Sequence, residues 1–271
     1  MDVSQMIATQ NQPSDPPAAQ PFGVPGTSLH AWQHSRALAQ VKPIGLNELL
    51  PSSGRVIVLA PHPDDEVLAC GGLLATLASA PVPLNEITIV AITDGEGSHP
   101  GSTRWPQDRL GTVRRQESRD AMHSLGYQPE RLPWHYLGLP DGDVRRHVKT
   151  LITKLNAIVR PGDCLVTTWR GDGHGDHEAA GEAAAACALK MAARLVEIPV
   201  WAWHWATPED ERIPWARARK LVLDEHQLAA KRRAIAAHVS QLQRDPSTLA
   251  SPVLTEVTVA RLTQPYELMF L

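Results

Sequence analysis

From residue 55 onward, short apolar runs alternate with longer segments of helical period. Val56-Ile57-Val58-Leu59 is unbroken and rich in β-branched residues, as a strand buried on both faces requires. Runs of this kind predict strands over 55–60, 86–93, 134–139, 164–168, 199–205, 219–223 and 266–271. Helices are predicted over 66–80, 106–125, 143–159, 177–194 and 225–242, with Gly126 and Pro161-Gly162 as stop signals. Strands that alternate with helices fold as a mostly parallel sheet covered on both sides. The expected fold is therefore α/β, a Rossmann-like three-layer α/β/α sandwich. Trp201, Trp203 and Trp205 alternate within one predicted strand, so they would share a face. That face could stack on a sugar ring or pack in a core or subunit interface.

The pattern fades toward the N-terminus. Residues 1–28 are rich in Gln, Pro, Ala and Ser and hold few large apolar groups, so a disordered tail is expected there. Residues 29–54 carry short helical patterns, with Leu29, Trp32 and Leu38 among polar neighbours, and read as an extension packed on the main domain, 55–271.

Composition narrows the classes further. The 271 residues carry a net charge of −3 with both signs interspersed, unlike the basic stripe of a nucleic-acid binder. Three cysteines without a C-x-x-C pair suit a reduced, cytoplasmic protein better than a disulfide framework. No apolar run reaches membrane-spanning length, and the start does not read as a signal peptide. A homo-oligomer is left open.

The chemistry concentrates at two places. Pro61-His62-Pro63-Asp64-Asp65-Glu66 directly follows the first strand, and Gly173-His174-Gly175-Asp176-His177 follows the fourth. Both fall on the edge formed by the C-terminal strand ends, where open α/β sheets bind ligands. Asp94 and Asp141 fall on that edge too, after the second and third strands. Imidazole and carboxylate are good ligands for Zn²⁺. Of two adjacent aspartates, one can ligate while the other stays free as a proton acceptor, the division a metal-assisted hydrolase needs. Helix capping would account for Asp64 or Asp65, but not for His62. Trp169 and Arg170 precede the second cluster and are expected to border the pocket.

These two motifs, with Arg114-x-x-Glu117 and Leu137-Gly138-Leu139-Pro140-Asp141-Gly142 between them, resemble the PIG-L/LmbE-like zinc-dependent N-acetylglucosaminyl deacetylases over about residues 55–194. Gly175 stands where members often carry Pro. The resemblance implies His62, Asp65 and His177 as zinc ligands, Asp64 as general base, His174 as oxyanion stabiliser and Asp176 as the residue that tunes His174. It implies Arg114 as a substrate-binding residue; Asp94, Asp141, Trp169 and Arg170 are further substrate-binding candidates by their positions. The substrate would be a conjugate of an N-acetylated amino sugar. Fe²⁺ would also suit a His₂-carboxylate site. An amidase for a larger N-acyl group, or a non-catalytic sugar- or nucleotide-binding module, are the competing readings. The chain lacks a G-x-G-x-x-G after its first strand, a P-loop and a G-x-S-x-G.

Overall fold

The computed structural model describes residues 26–50, 54–80 and 86–271. The expected tail lies outside them through residue 25. Three short helices, α1 (Leu29–Gln33), α2 (Arg36–Gln40) and α3 (Leu46–Leu49), come first. They bury Trp32, Leu38 and Leu49, and the Trp32 indole donates to the carbonyl of Trp203 at 2.9 Å. The extension is thus tied to the main domain.

There β1 (Val56–Ala60), α4 (Asp65–Ala78), β2 (Ile87–Ala91), α5 (Gln107–Ser124), β3 (Trp134–Tyr136), α6 (Val148–Ile158), β4 (Cys164–Thr168), α7 (Gly175–Met191) and β5 (Arg194–Ile198) follow in order. The C-terminal part adds α8 (Ala202–Trp205), β6 (Ala218–Val222), α9 (Glu225–Ala236), α10 (Val239–Leu242), α11 (Glu256–Leu262) and β7 (Tyr266–Phe270). One seven-stranded sheet runs β3-β2-β1-β4-β5-β7-β6. Its first five strands are parallel and the last two join antiparallel.

Alternation along β1 divides the core. Val56 and Val58 belong to the cluster that includes residues of α4, α5 and α9, while Ile57 and Leu59 belong to the one built with α6 and α7. The result is the expected three-layer sandwich. Strand order reverses at β1, so the crevice between the C-terminal ends of β1 and β4 is the switch point where such folds take ligands. Among the described residues, no helix is long and apolar enough to cross a membrane.

The structure corrects the sequence expectation after α7. The strand expected over 199–205 lies instead at Arg194–Ile198, and the tryptophans fall on a helical turn. Trp203 is buried and Trp201 and Trp205 half-buried, so they do not form one sheet face. The predicted helix over 225–242 is broken between Ala236 and Val239. Helix α11 was not expected.

Helix α4, which begins at the first motif, is itself interrupted. Cys70 leaves helical geometry at φ −129°. The freed N–H groups of Gly72 and Leu73 donate to the Glu267 carboxylate of β7 at 2.6 and 2.8 Å. Lys231 of α9 neutralises that carboxylate at 2.6 Å, and both partners are buried. Glycine at 72 gives close packing, since a Cβ there would lie 2.4 Å from Leu223 Cδ1 and 3.0 Å from the Glu267 carboxyl carbon.

Candidate active site

The first motif leaves β1 in a tight turn. The Asp65 N–H closes it on the His62 carbonyl at 3.2 Å, with Pro63 and Asp64 between them. Asp64 has φ 129° and ψ −27°, a conformation that favours glycine. Holding an aspartate there costs of order 1–3 kcal/mol. The turn presents His62, Asp64 and Asp65 together at the end of β1. The second motif leaves β4 and enters α7, with His174 as the N-cap and His177 in the first turn.

The two motifs meet. The Asp65 carboxylate lies 3.1 Å from His62 Nδ1 and 3.3 Å from His177 Nε2. The His62 and His177 ring centroids are 5.3 Å apart, and His174 lies 5.0 and 4.6 Å from them. The outward nitrogens have carboxylate partners. His177 Nδ1 meets Asp172 at 2.7 Å, while His62 Nε2 meets Asp176 at 3.1 Å and Asp141 at 3.2 Å. Such outer carboxylates orient a ligating imidazole and fix its tautomer.

Asp172 is a site residue that sequence reasoning missed. It is fully buried, and its carboxylate also accepts the N–H groups of Val200, Trp201 and Ala202 at 2.8–2.9 Å. It therefore ties His177 to the start of α8. The signal was an aspartate five residues before His177 in an otherwise Gly-rich link.

The charge balance of this cluster fits a divalent cation. Burial alone would lower His62 and His177, yet the surrounding carboxylates raise both, His177 to about 9 and His62 well above its ordinary value. Asp65 is held well below the usual carboxylate range: burial opposes this, but the charge and hydrogen bond of His177 outweigh it. Without a metal, protons on the imidazoles must balance the excess of acid. Two overlapping groups, His62–His174–His177 and His62–Asp141–Asp176, have potential donor atoms all within 4.8 Å of one another. Asp65 joins neither group but contacts both imidazoles that the resemblance implies as ligands, His62 and His177.

Asp64 stands apart from that set. Its carboxylate accepts from Arg114 Nη2 at 3.1 Å. Burial pushes it up to about 7, against the pull of Arg114 and with help from the charges of Asp65 and Glu66. His174 Nδ1 accepts the Asp176 N–H at 3.3 Å, which leaves Nε2 to carry the proton. Burial and the charges of His177 and His62 press it down to about 3, so it is a neutral N–H donor. The Asp176 carboxylate points elsewhere, to His62 and to the N–H groups of Gly142 and Val144 at 2.7 and 3.0 Å.

The remaining candidates are spread out. Arg114 is buried under the turn, donating to the carbonyls of Gly95 and Pro63 as well as to Asp64. Gly95, at φ 64°, leaves room for it, since a Cβ would lie 2.0 Å from Arg114 Nη1. Asp141 lies at the site through His62 and accepts the Gly97 N–H at 2.8 Å. Asp94 forms a two-pronged pair with Arg115, which also stacks on Tyr136. Trp169 packs edge-on against Phe270 of β7, and Arg170 pairs with Glu197 of β5. Among the described residues, neither side chain bonds an imidazole of the cluster.

Known proteins resemble this chain in sequence and in fold. The PIG-L family model, described as GlcNAc-PI de-N-acetylase, matches residues 57–188, which span both motifs. A 1D-myo-inositol 2-acetamido-2-deoxy-alpha-D-glucopyranoside deacetylase from Corynebacterium diphtheriae is 28% identical over 257 residues, covering 78% of this chain and 84% of the relative. The solved A40926 pseudoaglycone deacetylase Dbv21 superposes with a TM-score of 0.57 at 20% identity, over 80% of this chain and 96% of that one. An N,N'-diacetylchitobiose deacetylase from Pyrococcus horikoshii gives 0.54 at 19% identity, over 74% and 76%. At these identities the structural likeness is one of fold.

Proposed function

We propose that this protein, whose residues 57–188 match the PIG-L family model, is a metal-dependent hydrolase that removes the N-acetyl group from an N-acetylglucosamine-type conjugate. One observation carries the reading. Among the described residues, the buried Asp64 carboxylate pairs with Arg114 and with no imidazole, beside an Asp65 carboxylate that contacts both His62 and His177. A pure binding module has no need of that second acid.

His62, Asp65 and His177 hold the cation in this reading, with Asp172 and Asp176 fixing the two rings. Zn²⁺ suits two imidazoles and a carboxylate. When bound, it acidifies an attacking water and polarises the acetamide carbonyl. Asp64 accepts the proton of that water as the new C–O bond forms. His174 donates Nε2–H to the carbonyl oxygen as its charge develops. Asp64 then returns its proton to the departing amine nitrogen as the C–N bond breaks, leaving acetate and the free amino sugar. Arg114 keeps Asp64 aimed and ionisable throughout. Asp141, beside His62 on the same edge, is assigned to sugar hydroxyls.

The test is acetate release from a panel of N-acetylglucosamine conjugates by Zn²⁺-loaded protein, with Asp64→Asn as control. Release by the wild type alone supports the reading. No release from any conjugate, by protein shown to hold its metal, removes it.

A further inference from the structure

The turn that carries the base has a feature the hydrolase reading does not use. In a turn of this kind, the peptide between its two central residues can face either way. One orientation gives the second residue negative φ; the other gives positive φ and calls for glycine. Here that residue is Asp64 at φ 129°. Both ends of the Pro63–Asp64 peptide are gripped. Arg114 Nη2 donates to the Pro63 carbonyl at 2.6 Å, and the Asp64 N–H donates to Glu66 Oε2 at 3.0 Å. Glu66 is 1% exposed and does no chemistry in the proposed reaction. Behind it lies His238, itself fully buried, with Nε2 3.9 Å from the other Glu66 oxygen.

We infer that Glu66, with Arg114 opposite, is a positioning residue that locks this peptide in the strained orientation and thereby aims the Asp64 carboxylate beside the metal cluster. The role rests on the reading of Asp64 as base. Released from Glu66, the peptide flips to the relaxed turn and swings Asp64 off its line.

Two measurements test this. The first is independent of activity. Thermal melts compare Asp64→Gly with Asp64→Ala, each alone and combined with Glu66→Ala, all without metal. Glycine tolerates the strained conformation and alanine does not. Asp64→Gly should therefore melt roughly 2–4 °C above Asp64→Ala when Glu66 is present. With Glu66→Ala that gap should close or invert. The second is kinetic. Glu66→Ala should lower kcat roughly 10–100-fold, as a small misplacement of a reacting group does, with KM and bound metal retained. Glu66→Gln, whose amide oxygen can still accept the Asp64 N–H, should recover most of that loss. A Gly–Ala gap that survives Glu66→Ala overturns the inference, as does a rate lost only together with metal. If the wild type releases no acetate from any conjugate, the hydrolase reading fails while the melts still decide the turn.

Discussion

Asp64 and Asp65 are neighbours in the chain, yet their carboxyls move in opposite directions. Burial lifts Asp64 to about 7, while the His177 and His62 rings overcome the same burial at Asp65 and hold it well below the ordinary range. The turn separates them, giving one to the imidazoles and the other to Arg114. Asp64→Asn should keep its metal and lose roughly 10²–10⁴-fold in rate, seen by metal analysis and turnover on the same preparation. Asp172→Ala should weaken metal affinity roughly 10–100-fold, measured by chelator competition, because His177 loses the partner that fixes its ring. The cluster residues were legible because each motif is compact and follows a recognisable strand. Asp172 was harder to read. Its partners are the backbone amides of residues 200–202, and no sequence pattern announces a bond of that kind.

At the level of elements, the errors cluster where an ordinary punctuation residue is missing. Helix α7 stops at Met191 because Ala192 turns into left-handed backbone at φ 51°, a place glycine usually takes. Without that glycine, the apolar period runs on and hides the start of β5. The alternating tryptophans imitated a strand, but Asp172 captures three successive amides there and begins a helical turn instead. The break after α9 likewise has a distant cause, since Glu117 of α5 accepts both Ser240 N–H and its hydroxyl at 2.7 Å. The parallel strands β1, β2 and β4, dominated by apolar residues, were readable, and β5 was displaced. The break in α4 supports a prediction of its own. Lys231→Met leaves the Glu267 charge buried without its cation and should cost about 3–5 kcal/mol, read from the urea midpoint. Adding Glu267→Gln should restore part of it, because it removes the buried charge while the amide oxygen still accepts from one of the two N–H groups.

Across the whole molecule, the site stores acid that something positive must balance. In the metal-free protein this falls to protons on His62 and His177. A histidine raised from its ordinary value contributes stability that is fully present below about 6.5. That contribution fades as pH climbs through about 9, where His177 loses its proton. The metal-free protein should therefore melt progressively lower between pH 6.5 and 9. The gain in Tm on adding Zn²⁺ should grow over the same interval, because the cation no longer competes with protons for the rings. At 100-fold excess over Kd that gain corresponds to about 2.7 kcal/mol. Melts with and without chelator at pH 6, 7.5 and 9 check the sign. A Tm gain that shrinks with pH would contradict the charge balance.

Glu267 gives the C-terminal strand authority over a reaction it never touches. Until β7 has docked, the amides of Gly72 and Leu73 hang open halfway along the rod whose first turn carries Asp65. A nascent chain that has emerged only as far as β5 would own every acid and imidazole of the centre and still lack the brace beneath them. The brace forms only once β7 has joined the sheet.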